Sequence, residues 1–198
     1  MSTPQAGGVL RDQLRITLPP WIAEVVDPSQ LFTDDESRVQ LAVRLACENV
    51  ERGTGGPFGA GIFDERSGRL VAVGVNLVEP QSNSVLHAET VAIMFAQQAV
   101  GSFTLGAHPG QASHVLATSC APCAMCLGAV HWSGVSRVLI GATREDATQM
   151  GFDEGPVFPE SIAYLEHNGI QFVDGIARDS AIAVFERYIE LGRPIYNG

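Results

Sequence analysis

Four side chains in two short segments carry the groups of this sequence best suited to chemistry. They are His87 and Glu89 in His87-Ala88-Glu89, and Cys123 and Cys126 in Pro122-Cys123-Ala124-Met125-Cys126. Pro122 is of the type that opens helices, and the apolar run after Leu86 has helical character, so each segment falls at the first turn of a helix. Cysteines three apart then share one helix face, and their sulfurs can grip a single ion. A helix N-terminus also favours thiolate, through its macrodipole and its unpaired N–H groups. His87 would add a nitrogen from the other helix. Three protein ligands leave the fourth tetrahedral position to water, the arrangement of a catalytic zinc site with one ion per chain. Such an ion lowers the pKa of its water from about 15.7 to roughly 7. Glu89, two residues from His87, can then take and return protons without occupying a coordination site.

Other chemistries fit parts of this pattern. A Cys-x-x-Cys pair alone also suits a thioredoxin-like redox site. A purely structural zinc would need a fourth protein ligand, for which Cys120 is the candidate. Cys120 precedes the bend at Pro122 and is expected to pack near the site without binding. Cys47 lies within an apolar helical pattern, where a small core role is expected.

The elements that must position these groups are legible as periodicities. Thr33-Asp34-Asp35-Glu36 has capping-box form, and Val39, Val43, Ala46 and Val50 follow on one helical face until Gly53. Residues 58–63 and 69–78 read as two strands across a polar turn. In the second, Leu70, Ala72, Gly74 and Asn76 share one face, and Val71, Val73, Val75 and Leu77 the other. An asparagine ending a buried strand needs partners, from a turn or from a ligand. Helices over 86–99, 122–132, 144–150, 160–167 and 180–191 alternate with strands over 113–118, 137–141 and 170–173. A hairpin followed by such alternation predicts a layered α/β domain with a mixed five-stranded sheet, its last two strands parallel. Residues 1–32 hold Gly7-Gly8 and Pro19-Pro20 with little periodicity. They read as an N-terminal arm that packs late or not at all, with the folded domain over 33–198.

Of the 198 residues, 45% are hydrophobic and 17% charged, a globular composition with enough chain for a core without disulfide staples. The formal net charge is -10, with no basic run, which argues against a nucleic-acid partner. No signal peptide and no membrane span are expected, and with three of four cysteines within seven residues a reducing cytoplasm is the natural setting.

The order His-x-Glu then Pro-Cys-x-x-Cys matches the signature of zinc nucleobase deaminases, and the chain resembles the cytidine deaminase-like superfamily. Within it, Gly55-Gly56-Pro57-Phe58-Gly59-Ala60, Asn76, Leu127-Gly128-Ala129-Val130-His131-Trp132 and Gly151-Phe152-Asp153-Glu154-Gly155 resemble its guanine deaminases. The resemblance implies a three-layer α/β/α fold, hydrolysis of guanine to xanthine and ammonia, and a homodimer. It also implies zinc on His87, Cys123 and Cys126, with Glu89 as proton shuttle and Glu154 as a second acid for the leaving amine. Asn76, Phe58, Ala88 and Trp132 would contact the base. Ala121 departs from the family's usual glutamate before the proline. Other free bases, nucleosides, aminotriazines, a tRNA adenosine or a non-catalytic zinc module are the alternatives. The C-terminal Ile195-Tyr196-Asn197-Gly198 belongs to a segment that, in the family, helps close the site.

Overall fold

A computed structural model of the chain describes residues 13–106 and 113–196. The first twelve residues of the arm, His108 and the terminal Asn197-Gly198 lie outside the described residues. A short helix α1 (Ile22–Val25) precedes the long α2 (Asp35–Glu51). Then come β1 (Gly59–Asp64), β2 (Leu70–Val75), α3 (Ala88–Val100), β3 (His114–Cys120) and α4 (Ala124–Ser133). The chain ends with β4 (Arg137–Ala142), α5 (Arg144–Gln149), α6 (Pro159–His167), β5 (Gln171–Val173) and α7 (Arg178–Glu190).

The sheet order is β2-β1-β3-β4-β5. β1 is antiparallel to both neighbours, while β3–β4 and β4–β5 are parallel. The mixed five-stranded sheet expected from the sequence is therefore present, with its last two strands parallel. Alternation along the strands sends side chains into two layers. Phe63, Val73, Val115 and Leu139 pack with Leu45 of α2 and Phe185 of α7 on one face. Ile62, Leu116 and Val138 pack with Ala92 of α3, Val130 of α4 and Leu165 of α6 on the other. The four apolar positions read as one face of α2 are all buried.

Two glycines set how closely helices approach the strands that lead to the site. A Cβ at Gly74 would fall inside the carbonyl oxygen of Ala88, and one at Gly59 inside that of Ala42. The backbones of α3 and α2 thus rest directly on β2 and β1. A side chain at Gly74 would lift the end of α3 that carries His87 and Glu89, at a typical overpacking cost of about 1–3 kcal/mol.

The structure corrects two expectations. The N-cap of α2 is Asp34, whose side chain accepts from the Ser37 N–H at 2.7 Å, so the Thr33–Glu36 box is displaced by one residue. The described part of the arm is also packed against the domain. Trp21 and Phe32 are buried in the core, and the Trp21 indole donates to Thr54 Oγ1 at 2.9 Å. Arg44 donates to the Val25 carbonyl and Gln81 to that of Thr17. Isolated aromatic anchors hold this segment, and they leave no periodicity in the sequence to read.

Candidate active site

Two helix N-termini meet at one end of the sheet. His87 is the N-cap of α3 and Cys123 the N-cap of α4, both with extended backbone (φ -69°, ψ 157° and φ -69°, ψ 175°). Neither side chain caps its own helix, which leaves imidazole and thiol free to converge. Cys126 follows in the first turn of α4. The ligand atoms of His87, Cys123 and Cys126 all lie within 4.8 Å of one another, with Cys123 Sγ 3.6 Å from His87 Nδ1. One nitrogen and two sulfurs form a donor set that suits zinc, and a closed structural site would need a fourth protein ligand. Cys120 is not that ligand. It ends β3 buried, its thiol directed at the Thr143 carbonyl, and it stands outside the convergent group, as expected.

The electrostatics of the apo site show what an ion would relieve. The Cys123 thiol is held down to about 4, first by its hydrogen bond with Cys126, then by His87 against the opposing effect of burial. Cys126 is pushed well up by that same bond and by burial. Burial opposes protonation of His87, yet the Cys123 hydrogen bond and the charges of Glu89 and Cys123 raise it overall. Thiolate and neutral imidazole are the forms that hold a metal, so metal binding at these residues would release protons.

Two carboxyl groups face this cluster. Glu89, the second residue of α3, is 6% exposed and raised to about 7, by burial and then by the Cys123 charge. Glu154 is 7% exposed and raised to about 8, by burial and then by Cys123 and Glu89, with Arg144 opposing. A bound dication draws both values downward. The Glu154 loop is fastened to the zinc helix, because the Ala124 N–H donates to the Glu154 carbonyl at 3.0 Å. Gly155, with φ +68°, leaves just enough room beside Ala124 for this closure.

A cavity of about 190 Å3 opens onto these groups, bounded by His87, Glu89, Cys123, Glu154, Phe58 and Tyr196 among others. Phe58 and Phe152 meet edge to face at 5.1 Å, and Phe152 packs against Tyr196 at 6.0 Å, giving the cavity an aromatic wall. Asn76 is buried next to Phe58 and Val78 of this wall and is not itself a lining residue. Its Oδ1 accepts from the Val78 N–H at 3.2 Å, while Nδ2 has no protein partner.

Two expected base contacts are placed elsewhere. Trp132 is 79% exposed and does not line the cavity, because six residues beyond Cys126 turn it about 240° away from the metal face of α4. Ala88 is fully buried beneath α3, its backbone against Gly74, and does not line the cavity either. Sequence reasoning passed over Ser84, Val78 and Asp153 at the cavity, and gave Tyr196 no individual role. The one signal for Tyr196 is Gly56, where a Cβ would overlap its hydroxyl.

Residues 32–142 match the zinc-binding region of cytidine and deoxycytidylate deaminases, and the chain belongs to that family. Among its relatives, the guanine deaminase of Bacillus subtilis is 38% identical over 137 residues, covering 69% of this chain and 83% of the relative. The crystal structure of the guanine deaminase from Nitrosomonas europaea superposes with a TM-score of 0.85 at 36% identity, covering 91% of this chain and 98% of that one. A variant crystal structure in complex with 8-azaguanine gives 0.86 at 36% identity, covering 93% and 100%.

Proposed function

We propose that this chain is a zinc-dependent guanine deaminase, which adds water to guanine and releases xanthine and ammonia. The observation that carries the reading is the convergence of Glu89 and Glu154, both buried and both raised, on one cavity with the His87–Cys123–Cys126 group. The guanine deaminase relatives supply the base. A zinc ion on these three residues supplies the Lewis acidity that makes water a nucleophile at neutral pH.

In this reading the oxygen of water bonds to C2 of guanine, the C2–amine bond breaks, and the amine leaves as ammonia. Glu89 accepts the proton that the water gives up and delivers it to a ring nitrogen. The amine is a poor leaving group until protonated: Glu154, on the opposite loop, delivers that proton while Glu89 takes the remaining hydroxyl proton as the C2 carbonyl forms, and proton exchange between the two carboxyls through solvent restores both. Burial on the cavity wall raises the Glu154 carboxyl, which favours the protonated form a general acid requires. Phe58 and Phe152 flank the ring, and the unpaired Nδ2 of Asn76 donates to an acceptor on the base.

Incubating the zinc-loaded protein with guanine should yield xanthine and ammonia in equal amounts. Glu154→Gln keeps the shape and removes the acid, so kcat should fall by about a hundredfold or more while zinc content holds and KM changes less. Full kcat in this variant would remove Glu154 from the proton path and leave the reaction itself standing.

The protein acts in the cytoplasm, in the breakdown of purine bases. Support comes from four free cysteines and a thiolate site that needs them reduced. No described helix is long and apolar enough to cross a membrane. The chain works as a homodimer, supported by the exposed Trp132, Phe158 and Tyr164 near α4 and α6. A monomer in sedimentation at micromolar concentration would overturn that assignment.

A further inference from the structure

We propose that Asn49 is a positioning residue for base binding: one fully buried side-chain amide ties together the two segments that flank Phe58 of the cavity and so fixes where Asn76 presents its free Nδ2. The inference rests on the reading of Asn76 as a ligand of the base.

Asn49 lies in the last turn of α2, with no exposed surface. Its Nδ2 donates to the Gly56 carbonyl at 2.9 Å and to the Asn76 carbonyl at 3.0 Å. Gly56 belongs to the loop that enters the cavity wall at Phe58, and its carbonyl also accepts from the Phe58 N–H at 2.9 Å. Asn76 ends the neighbouring strand, and its N–H donates to the Phe58 carbonyl at 3.0 Å. Both protons of a single amide are therefore spent on joining the two chain segments that flank Phe58.

The remaining lone pairs of Asn49 are also committed. Oδ1 accepts from the Thr54 hydroxyl at 2.7 Å, and that hydroxyl in turn accepts from the Trp21 indole at 2.9 Å. The two carbonyls fix which way the amide faces, since a flipped Asn49 would aim its oxygen at both, and Thr54 holds that oxygen in place from the other side. Gly55 completes the arrangement, because a side chain there would occupy the space through which Asn49 reaches Asn76. The chain from Trp21 through Thr54 and Asn49 to Asn76 carries no group of the reaction. Its effect must therefore appear in binding.

The test is a double-mutant cycle on steady-state guanine turnover, with metal content and thermal unfolding measured in parallel. A net hydrogen bond is worth about a fivefold factor. With two lost, Asn49→Ala should raise KM about tenfold or more and change kcat less than about threefold, at one zinc per chain. In an Asn76→Ala background the same substitution should raise KM less than about twofold, because the amide it positions is gone. Thr54→Val, which keeps the shape and removes the hydroxyl that holds the Asn49 oxygen, should raise KM about threefold with the same dependence on Asn76. It carries the cycle if Asn49→Ala does not fold. Equal KM factors with and without Asn76, or a fall in kcat at unchanged KM, would overturn the proposal. An Asn76→Ala enzyme with normal KM would overturn it by removing the base contact on which it depends, a result readable before Asn49 is changed.

Discussion

Glu89→Ala is expected to retain its zinc and its fold while losing nearly all turnover. The carboxyl is buried beside the thiolates, where burial and the Cys123 charge both work against its ionised form. Removing it relieves a buried charge and leaves the three ligands untouched, so the melting temperature should hold. General acid–base catalysis by one group contributes about a hundred- to ten-thousandfold. In the proposed mechanism Glu89 serves at least two transfers, which places the expected loss in kcat at the upper end. Metal analysis, thermal unfolding and xanthine formation on the same preparation check all three parts. Near-normal turnover would remove Glu89 from the mechanism.

The second large effect is the loss of metal from Cys126→Ala. Replacing a partner outside the ligand set typically costs ten- to a hundredfold in metal affinity. Removing one of two thiolates should exceed that, so the protein purifies without zinc and without activity. Cys120→Ala provides the control. It is equally buried and lies three residues before Cys123, yet its thiol faces the Thr143 carbonyl, so this variant should keep one zinc per chain. Zinc lost from the Cys120 variant and kept in the Cys126 variant would overturn the ligand assignment.

Much of this arrangement is legible in the sequence because it repeats. The apolar face of α2, the alternation of β2 and the α/β alternation after it follow from periods of 3.6 and 2. The two ligand segments are legible because a histidine and a cysteine each stand immediately before a helix. What escapes is held by single contacts between distant segments. Trp21 reaches Thr54 across 33 residues, and Asn49 reaches Asn76 across 27, with no local pattern announcing either. Tyr196 comes to the cavity from the end of the chain, and only the paired Gly55-Gly56 hints at what must fit there. Trp132 shows the opposite failure. It belongs to the motif-bearing helix, but its phase on that helix carries it away from the cavity.

Substrate choice is the central claim, and a comparison of kcat/KM for guanine, adenine and cytosine on the zinc-loaded protein tests it most directly. The three bases carry their exocyclic amines on different ring carbons, so the proposed placement of Glu89 and Glu154 about C2 of a purine would discriminate among them. The account predicts efficient release of ammonia from guanine with matching xanthine, and none from adenine. Efficient turnover of cytosine or adenine, with guanine left intact, would contradict it.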